Sequence, residues 1–165
     1  MGNTGSFVLP EKAAPKIRAL FDYWRSIHPD PAHPGAGLPG RQHFDPMDIP
    51  QLLPNIWMMD VEREPLRFRL RLVGTEIVKF SGRDATGQWL DEIFTDYEKT
   101  DAYRFHRACA LSGEPGYRKG SVLSNPERDY IEAERLYLPL AEDGKTVDIL
   151  LVITLYDGTP PPPRR

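Results

Sequence analysis

The clearest pattern in the chain is an unbroken alternation of leucine or phenylalanine with arginine over residues 66–72. A repeat of two residues is typical of a β-strand that buries one face and exposes the other. Residues 57–62 precede this run and end in a similar alternation, and Glu64-Pro65 separates the two runs. The pattern therefore predicts an antiparallel hairpin over about residues 56–73 with a tight turn at Glu64-Pro65.

Both faces of this hairpin favour the same register, because a shift by one residue would bury the arginines. The expected pairs are Glu62–Arg67, Asp60–Arg69 and Met58–Arg71 on the charged face, and Val61–Phe68, Met59–Leu70 and Trp57–Leu72 on the apolar face. The arginine row (Arg67, Arg69 and Arg71) has two interpretations. It binds an anionic ligand or an acidic partner, or it belongs to a solvated edge strand whose charges oppose aggregation. The facing acids favour the second.

A helical period replaces the alternation near the N-terminus. One face of a predicted helix at residues 13–28 carries the apolar residues Ile17, Leu20, Phe21, Trp24 and Ile27. Such a stripe is too apolar to face water. We therefore predict that the helix packs on the outer face of the sheet and brings two copies together as a symmetric homodimer. The alternative is that the helix covers only its own chain.

Turn and capping residues divide the rest of the chain. The predicted elements are a short helix from Asp45 to about Leu53, short helices at 75–80 and 88–94, a helix at 97–111 that Asp96 caps and Gly113 ends, and strands at 117–123, 130–140 and 147–156 with turns at 124–127 and 143–144. At Gly74, between strand and helix, we expect a backbone conformation costly for other residues, with Thr75 as the helix cap.

This element order predicts an α+β fold with a five-stranded antiparallel sheet and helices on one face, besides the extra N-terminal helix. The predicted domain spans residues 13–157. A loose arm at residues 1–12 precedes it, and a proline-rich tail at residues 158–165 follows it.

The residues around the second strand of the hairpin resemble a known family. The run Arg69-Leu70-Arg71-Leu72-Val73-Gly74-Thr75, followed by Gly82-Arg83-Asp84 and Thr86-Gly87, is similar to a bacterial PAS-domain family found mostly in alphaproteobacteria, as is the segment from Asp45-Pro46 to Leu53-Pro54. The resemblance covers about residues 15–157. It implies a PAS fold and a role in sensing or protein contact, although a fold does not fix an activity.

The PAS resemblance also implies a cleft between the inner face of the sheet and the short helices. Candidate residues lining it are Trp57, Met59, Phe68, Leu70, Phe80, Trp89 and Phe105. The same residues would also make an ordinary core, because an apolar pocket needs a few placed polar groups to be specific.

Composition narrows the classes of function. The net charge of −3 argues against a nucleic-acid-binding surface. No apolar run reaches the roughly 20 residues that span a bilayer, and the first ten residues lack a secretory pattern. The single cysteine, Cys109, cannot form an internal disulfide. We therefore expect a cytoplasmic protein that binds neither nucleic acid nor membrane.

Two residues are candidates for holding a cofactor. Cys109 shares a helical face with Ala102 and Phe105 and lacks the Asn-Cys-Arg-Phe-Leu-like context of flavin-binding PAS sensors, so a core cysteine is expected. His106 is a candidate haem ligand. A hydrogen-bonded helix histidine is the alternative.

Other chemistry has weaker support in the sequence. His28 and His33, with Asp30 between them, are too few for a metal site. The chain has no nucleophile motif and no phosphate-binding glycine loop. We therefore expect a non-catalytic PAS sensory or protein-interaction domain in bacterial signalling, without a cofactor, that acts through a partner protein. The alternative is a small-ligand carrier or an enzyme that uses the cleft.

Overall fold

A five-stranded antiparallel sheet organises residues 7–30, 37–121 and 131–160, the part of the chain that the computed structural model describes. The strands are β1 Ile56–Glu62, β2 Arg67–Val73, β3 Gly116–Ser121, β4 Glu132–Leu140 and β5 Ile149–Asp157. Their spatial order is β2-β1-β5-β4-β3, so β2 and β3 form the two edges and β5 lies in the centre. The predicted α+β fold is confirmed. The predicted turn at residues 124–127 lies outside the described residues.

Four helices pack against this sheet in the described ranges. They are α1 Pro15–Ser26, α2 Thr75–Ser81, α3 Leu90–Ile93 and α4 Asp101–Ser112. Short 3-10 turns occur at Arg41–His43, Pro46–Asp48, Pro50–Asn55 and Tyr97–Lys99. Within these ranges, no helix has the length and apolar character that crossing a membrane requires.

Of the predicted N-terminal capping residues Asp45 and Asp96, the first is confirmed and the second is wrong. Asp45 caps the turn that Pro46 begins, because its Oδ1 accepts a hydrogen bond of 2.9 Å from the Met47 amide. Asp96 does not cap α4. It adopts a left-handed conformation (φ 54°) before a 3-10 turn, and the hydroxyl of Thr100 caps α4 by accepting from the Tyr103 amide at 3.1 Å.

Helix α1 covers the outer face of the sheet, as predicted. Ile17 and Leu20 are fully buried, and Phe21 and Trp24 are 8% and 6% exposed. They pack on a cluster that includes Ile56, Met58, Leu136, Leu138, Leu140, Leu151 and Ile153. The indole Nε1 of Trp24 also donates a 2.9 Å hydrogen bond to the Pro139 carbonyl. The apolar stripe of α1 is therefore occupied by its own chain, and the homodimer stays a prediction.

The hairpin register agrees with the prediction near the turn and departs from it further on. Glu62–Arg67, Val61–Phe68, Asp60–Arg69 and Met59–Leu70 are opposed as expected. A β-bulge then leaves Arg71 without a partner, so Met58 faces Leu72 and Trp57 faces Val73. The predicted pairs Met58–Arg71 and Trp57–Leu72 are therefore wrong. The bulge lets Arg71 share the carboxylate of Asp60 with Arg69, at 3.1 and 3.5 Å.

The outer edge of β2 is covered by a short extended segment. The Leu70 amide donates to the Gln88 carbonyl at 2.9 Å, and the Gly87 amide donates to the Leu70 carbonyl at 2.7 Å. Next to them, the guanidinium of Arg67 lies over the Trp89 ring at 4.1 Å and forms a two-pronged ion pair with Asp91 at 2.7 and 2.8 Å. This hydrogen bond lowers the pKa of Asp91. The arginine row is thus paired with carboxylates, which supports its structural interpretation.

Gly74 is required for a different reason from the one predicted. Its backbone angles (φ −67°, ψ 159°) suit any residue. However, a Cβ atom there would press against the carbonyl oxygens of Leu53 and Pro54 and lie 2.7 Å from that of Ile56. Thr75 is the first residue of α2, and Gly74 occupies the cap position. The constraint is a close approach of two backbone segments rather than an unusual conformation.

We expect Gly74→Ala to lower the free energy of unfolding by about 1–3 kcal/mol, because the added methyl group must push backbone atoms apart. Gly120→Ala is the matched control, since nothing lies within 4 Å of a Cβ added there. That variant should change stability by no more than about 0.5 kcal/mol. Urea melts of both variants measure the difference. Equal stability of the two would contradict the packing argument.

Candidate functional site

The inner face of the sheet contains most, but not all, of the residues predicted to line a cleft. Met59, Phe68 and Leu70 are buried there. The partly buried side chains of Trp57 and Phe105 pack against the same cluster. Phe80 lies further along the same face, where its ring stacks at 4.0 Å on that of Tyr156, the partner of Ala133 in the strand register. Trp89 lies elsewhere, beyond the edge of β2 beneath the arginines Arg67 and Arg69.

The inner face becomes cationic beside this apolar cluster. Arg118 of β3 and Arg135 of β4 are direct partners in the strand register. Arg135 is only 7% exposed, and its one described hydrogen bond is a long one of 3.4 Å from Nη1 to the Ala133 carbonyl. The guanidinium of Arg118 lies 5.5 Å from the centre of the Phe105 ring on α4. Among the described residues, no carboxylate forms an ion pair with either arginine.

Three buried polar atoms without a hydrogen-bond partner belong to the same region. They are Nε2 of His106, Nε of Arg118 and the hydroxyl of Tyr137. Among the described residues, only Asp148 Oδ1 shares this condition elsewhere. Tyr137 connects the three side chains, because its ring lies 5.3 Å from that of His106 and the charge of Arg118 acts on its hydroxyl. Burial raises the pKa of Tyr137, and the charges of Arg118 and Arg135 oppose that rise. Buried polar groups normally find partners, so this region of the inner face is the candidate binding site.

His106 is held in one orientation by Tyr97. The Tyr97 hydroxyl and His106 Nδ1 are 2.6 Å apart, and both residues are buried. Burial raises the pKa of Tyr97, so its hydroxyl stays neutral and can donate a hydrogen bond to Nδ1 or accept one from it. In the tautomer whose Nδ1 accepts this bond, the ring hydrogen of the neutral imidazole resides on Nε2, the atom without a partner among the described residues. Burial first, and then the charges of Arg118 and Arg135, lower the pKa of His106 to about 3.

The surroundings of His106 do not fit a haem group. The rings of Trp57, Phe68 and Tyr137 pack around the imidazole with centre distances of 5.8, 5.6 and 5.3 Å. An axial ligand needs the open face of a porphyrin directly beside its nitrogen. Rings packed this closely leave no room for the face of a porphyrin, and we derive no haem chemistry for this residue.

The other reactive side chains have structural surroundings. Cys109 is buried among apolar residues, and this burial raises the pKa of its thiol. His28 is also buried, with Nδ1 2.8 Å from the Trp24 carbonyl, and burial lowers its pKa. No group of three metal-binding side chains occurs within the described residues. His33 lies outside them.

Two surface depressions lie among the described residues, and neither is lined by His106, Arg118 or Tyr137. One of about 360 Å³ lies between Lys16, Asn55, Glu76, Phe80 and Tyr156. The other, of about 260 Å³, lies beside Arg63 and the C-terminal end of α4. Both are open and shallow compared with a specific small-molecule site, and neither contains a buried polar atom without a partner.

The sequence reasoning missed Arg118, Arg135, Tyr97 and Tyr137. A usable signal was present in β4, where Ala133, Arg135 and Tyr137 alternate with Glu134 and Leu136. An arginine two residues before a buried tyrosine shares its face of the strand. The alternation alone does not show that this face is the inner one. That assignment needs the pairing register of β4 with β5.

We expect stability to depend on pH through His106. Because its folded-state pKa lies below the value of 6.5 in the unfolded chain, unfolding takes up a proton between pH 6.5 and about 3. This contribution to stability is complete above pH 6.5 and is lost as the pH falls. In His106→Gln the slope of stability against pH in that range should decrease by up to about 1.4 kcal/mol per pH unit.

Urea melts at several pH values between 4 and 7 measure this slope. His43→Gln is the control, since His43 is exposed, and it should keep the slope of the unmodified protein. Identical slopes in all three proteins would contradict the assignment of a buried neutral His106.

Comparison with known proteins places this geometry in a family. A family model described as PAS domain matches residues 12–154. Among solved structures, a sensory box sensor histidine kinase from Vibrio cholerae is similar, with 13% identity and a TM-score of 0.46 over 68% of this chain and 91% of that chain. No curated protein matches the sequence. Since the family model covers most of the chain, the protein belongs to the PAS domain family.

Proposed function

We propose that this PAS domain is a non-catalytic sensory module of bacterial signalling that binds a small molecule on the inner face of its sheet. The observation that carries the proposal is the group of buried, unpartnered polar atoms on His106, Arg118 and Tyr137. A fully apolar layer would serve stability better than unpaired polar groups. Their presence is explained when a ligand supplies the missing partners.

The position of these groups gives a ligand the means to alter the domain. His106 belongs to α4, Arg118 to the edge strand β3, and Tyr137 to β4. A molecule that bonds to all three stabilises their present arrangement relative to any other, which is the condition for a ligand to shift a conformational equilibrium. A change in the position of α4 or β3 would then alter the surface that a partner protein binds.

The site is suited to binding rather than to chemistry. His106 is neutral and immobilised by Tyr97, and the Cys109 thiol has a raised pKa and is buried. A general acid or base works best with a pKa near the operating pH, and a cysteine nucleophile needs a lowered pKa. The alternatives are a small-ligand carrier or an enzyme that uses the same face. A buried thiol without a disulfide also suits a cytoplasmic location.

Native mass spectrometry of the gently purified protein, followed by hydrogen exchange, tests the proposal. We expect a bound small molecule, whose removal increases amide exchange in Asp101–Ser112 and Gly116–Ser121 while Pro15–Ser26 is unaffected. The released molecule should keep its mass after renewed incubation with the protein. A changed mass would favour an enzyme. Absence of any molecule whose addition protects α4 or β3 would contradict a sensory role.

We also propose that the domain acts as a homodimer. The apolar residues of α1 are buried against its own sheet, so the dimer contact would involve other surfaces beside α1. Sedimentation velocity at tens of micromolar, on the order of a weak dissociation constant, should show a dimer. If the protein is a monomer at that concentration, the homodimer proposal is wrong and α1 covers only its own chain.

A further inference from the structure

We propose that the ligand is a small organic carboxylate and that Arg118, Arg135, Tyr137 and His106 bind its carboxylate group. This inference deepens the proposed function and rests on it. We refer to these four residues as the arginine site.

The first argument is the position of two like charges. Arg118 and Arg135 are directly opposed on adjacent antiparallel strands, an arrangement in which like charges destabilise a sheet. Both point to the inner face, where Arg135 is almost fully buried. Removing an unpaired charge from water is costly. An anion between the two guanidinium groups would cancel both costs.

The second argument is that Glu134, the acid next to Arg135 in the sequence, points away from this site. Glu134 lies between Arg135 and Ala133 on β4, but its carboxylate accepts hydrogen bonds from the Ala14 amide at 2.9 Å and the Tyr117 hydroxyl at 3.0 Å. Both contacts are on the outer side of the sheet, which α1 covers. In contrast, the exposed arginines of β2 are paired with Asp60 and Asp91. Among the described residues, the two buried-face arginines of the arginine site therefore have no carboxylate partner, and an external anion would supply one.

The third argument concerns the kind of groups present. The groups of this site are the guanidiniums of Arg118 and Arg135, the imidazole of His106 and the hydroxyl of Tyr137. Among the described residues, Arg118 Nε, His106 Nε2 and the Tyr137 hydroxyl have no hydrogen-bond partner. The guanidiniums can only donate hydrogen bonds, the hydroxyl can donate or accept, and Nε2 donates in the tautomer whose Nδ1 accepts from Tyr97. A ligand with two acceptor oxygens and a negative charge satisfies them. A neutral ligand would leave the charges unpaired, and a cation would add a third like charge.

The surrounding rings favour an organic anion over phosphate. Phe105 stacks on Tyr137 at 5.7 Å, and Trp57 contacts His106. These rings provide an apolar wall next to the donors, whereas a phosphate presents polar oxygens on every side. A guanidinium also matches the planar, two-oxygen edge of a carboxylate. The combination fits a carboxylate joined to a small apolar or aromatic body.

Binding of defined probes to the full chain tests the carboxylate site. Acetate is the minimal probe, benzoate adds an aromatic body, and benzamide has the same shape without the charge. Sodium sulfate at equal ionic strength serves as the inorganic anion. Calorimetry and thermal unfolding should show saturable binding of acetate and tighter binding of benzoate, with none for benzamide. Ligand binding to the folded state raises the melting temperature.

Substitution of the arginines gives a second readout. Arg135→Met should abolish benzoate binding, yet raise the melting temperature of the ligand-free protein because one of the two like charges is removed. Arg118→Met should likewise weaken benzoate binding and raise the melting temperature of the ligand-free protein. If Arg135→Met does not fold, Arg118→Met takes its place in the test. Arg104→Met is the control. Arg104 is an exposed arginine on α4 paired with Asp101, and its loss should leave benzoate affinity unchanged within about a factor of two.

The outcomes are distinct. Binding of benzamide equal to that of benzoate, or unchanged benzoate binding in both arginine variants, would overturn the carboxylate proposal. Equal saturable binding of sulfate and benzoate would replace it with a site for inorganic anions. If native mass spectrometry finds a neutral molecule, and hydrogen exchange shows that this molecule protects α4 and β3, the sensory function remains and only the carboxylate class is wrong. If no molecule binds there at all, both proposals fail.

Discussion

The structure depends on the complete burial of its central strand. Every residue of β5 from Ile149 to Ile153 is buried, so the sheet needs a layer on both faces. Helix α1 supplies the outer layer through Ile17, Leu20 and Trp24, and α4 lies over the inner face. An amphipathic helix outside the five-stranded unit is therefore part of the fold itself. The polar groups under α1, such as Glu134 and the Trp24 indole, have hydrogen-bond partners, whereas the inner face contains most of the buried polar atoms that lack one among the described residues.

The two groups of arginines in the sheet show how position decides the role of one residue type. Arg67, Arg69 and Arg71 lie at an exposed edge, and each reaches a carboxylate through water-accessible space. Such exposed pairs contribute little to stability, but they also cost little. Arg118 and Arg135 occupy a buried face, where an unpaired charge has a large cost. The same side chain is a surface feature in the first setting and an indicator of function in the second.

Much of the fold could be predicted from the sequence because its signals are local. The alternation at residues 66–72 specifies β2, and the spacing of Ile17, Leu20 and Trp24 specifies the buried face of α1. The β-bulge at Arg71 left no trace in the alternation, since both neighbours remain apolar. Gly74 was recognised as special, but the carbonyl oxygens that surround it come from residues 53–56, and only the folded chain brings them together.

The candidate site was harder to predict because it is defined by pairing between strands. Arg118 and Arg135 are distant in sequence and become neighbours only through the register of β3 with β4. β4 is also buried on both faces over most of its length, so its hydrophobic pattern does not show which face each residue occupies. The missing partners of His106 and Tyr137 are likewise a property of the packed structure.

The segment that covers β2 has a consequence for assembly. Its hydrogen bonds engage both backbone groups of Leu70, in the middle of the outer edge of that strand, so this edge is interrupted, whereas the opposite edge of the sheet is β3. A continuous cross-β fibre needs two free edges on every molecule, because each copy must receive one neighbour and provide a template for the next. An interruption in one of these edges opposes such continuous growth. The segment beyond β2 is in this sense a structural obstacle to open-ended addition of strands at that edge.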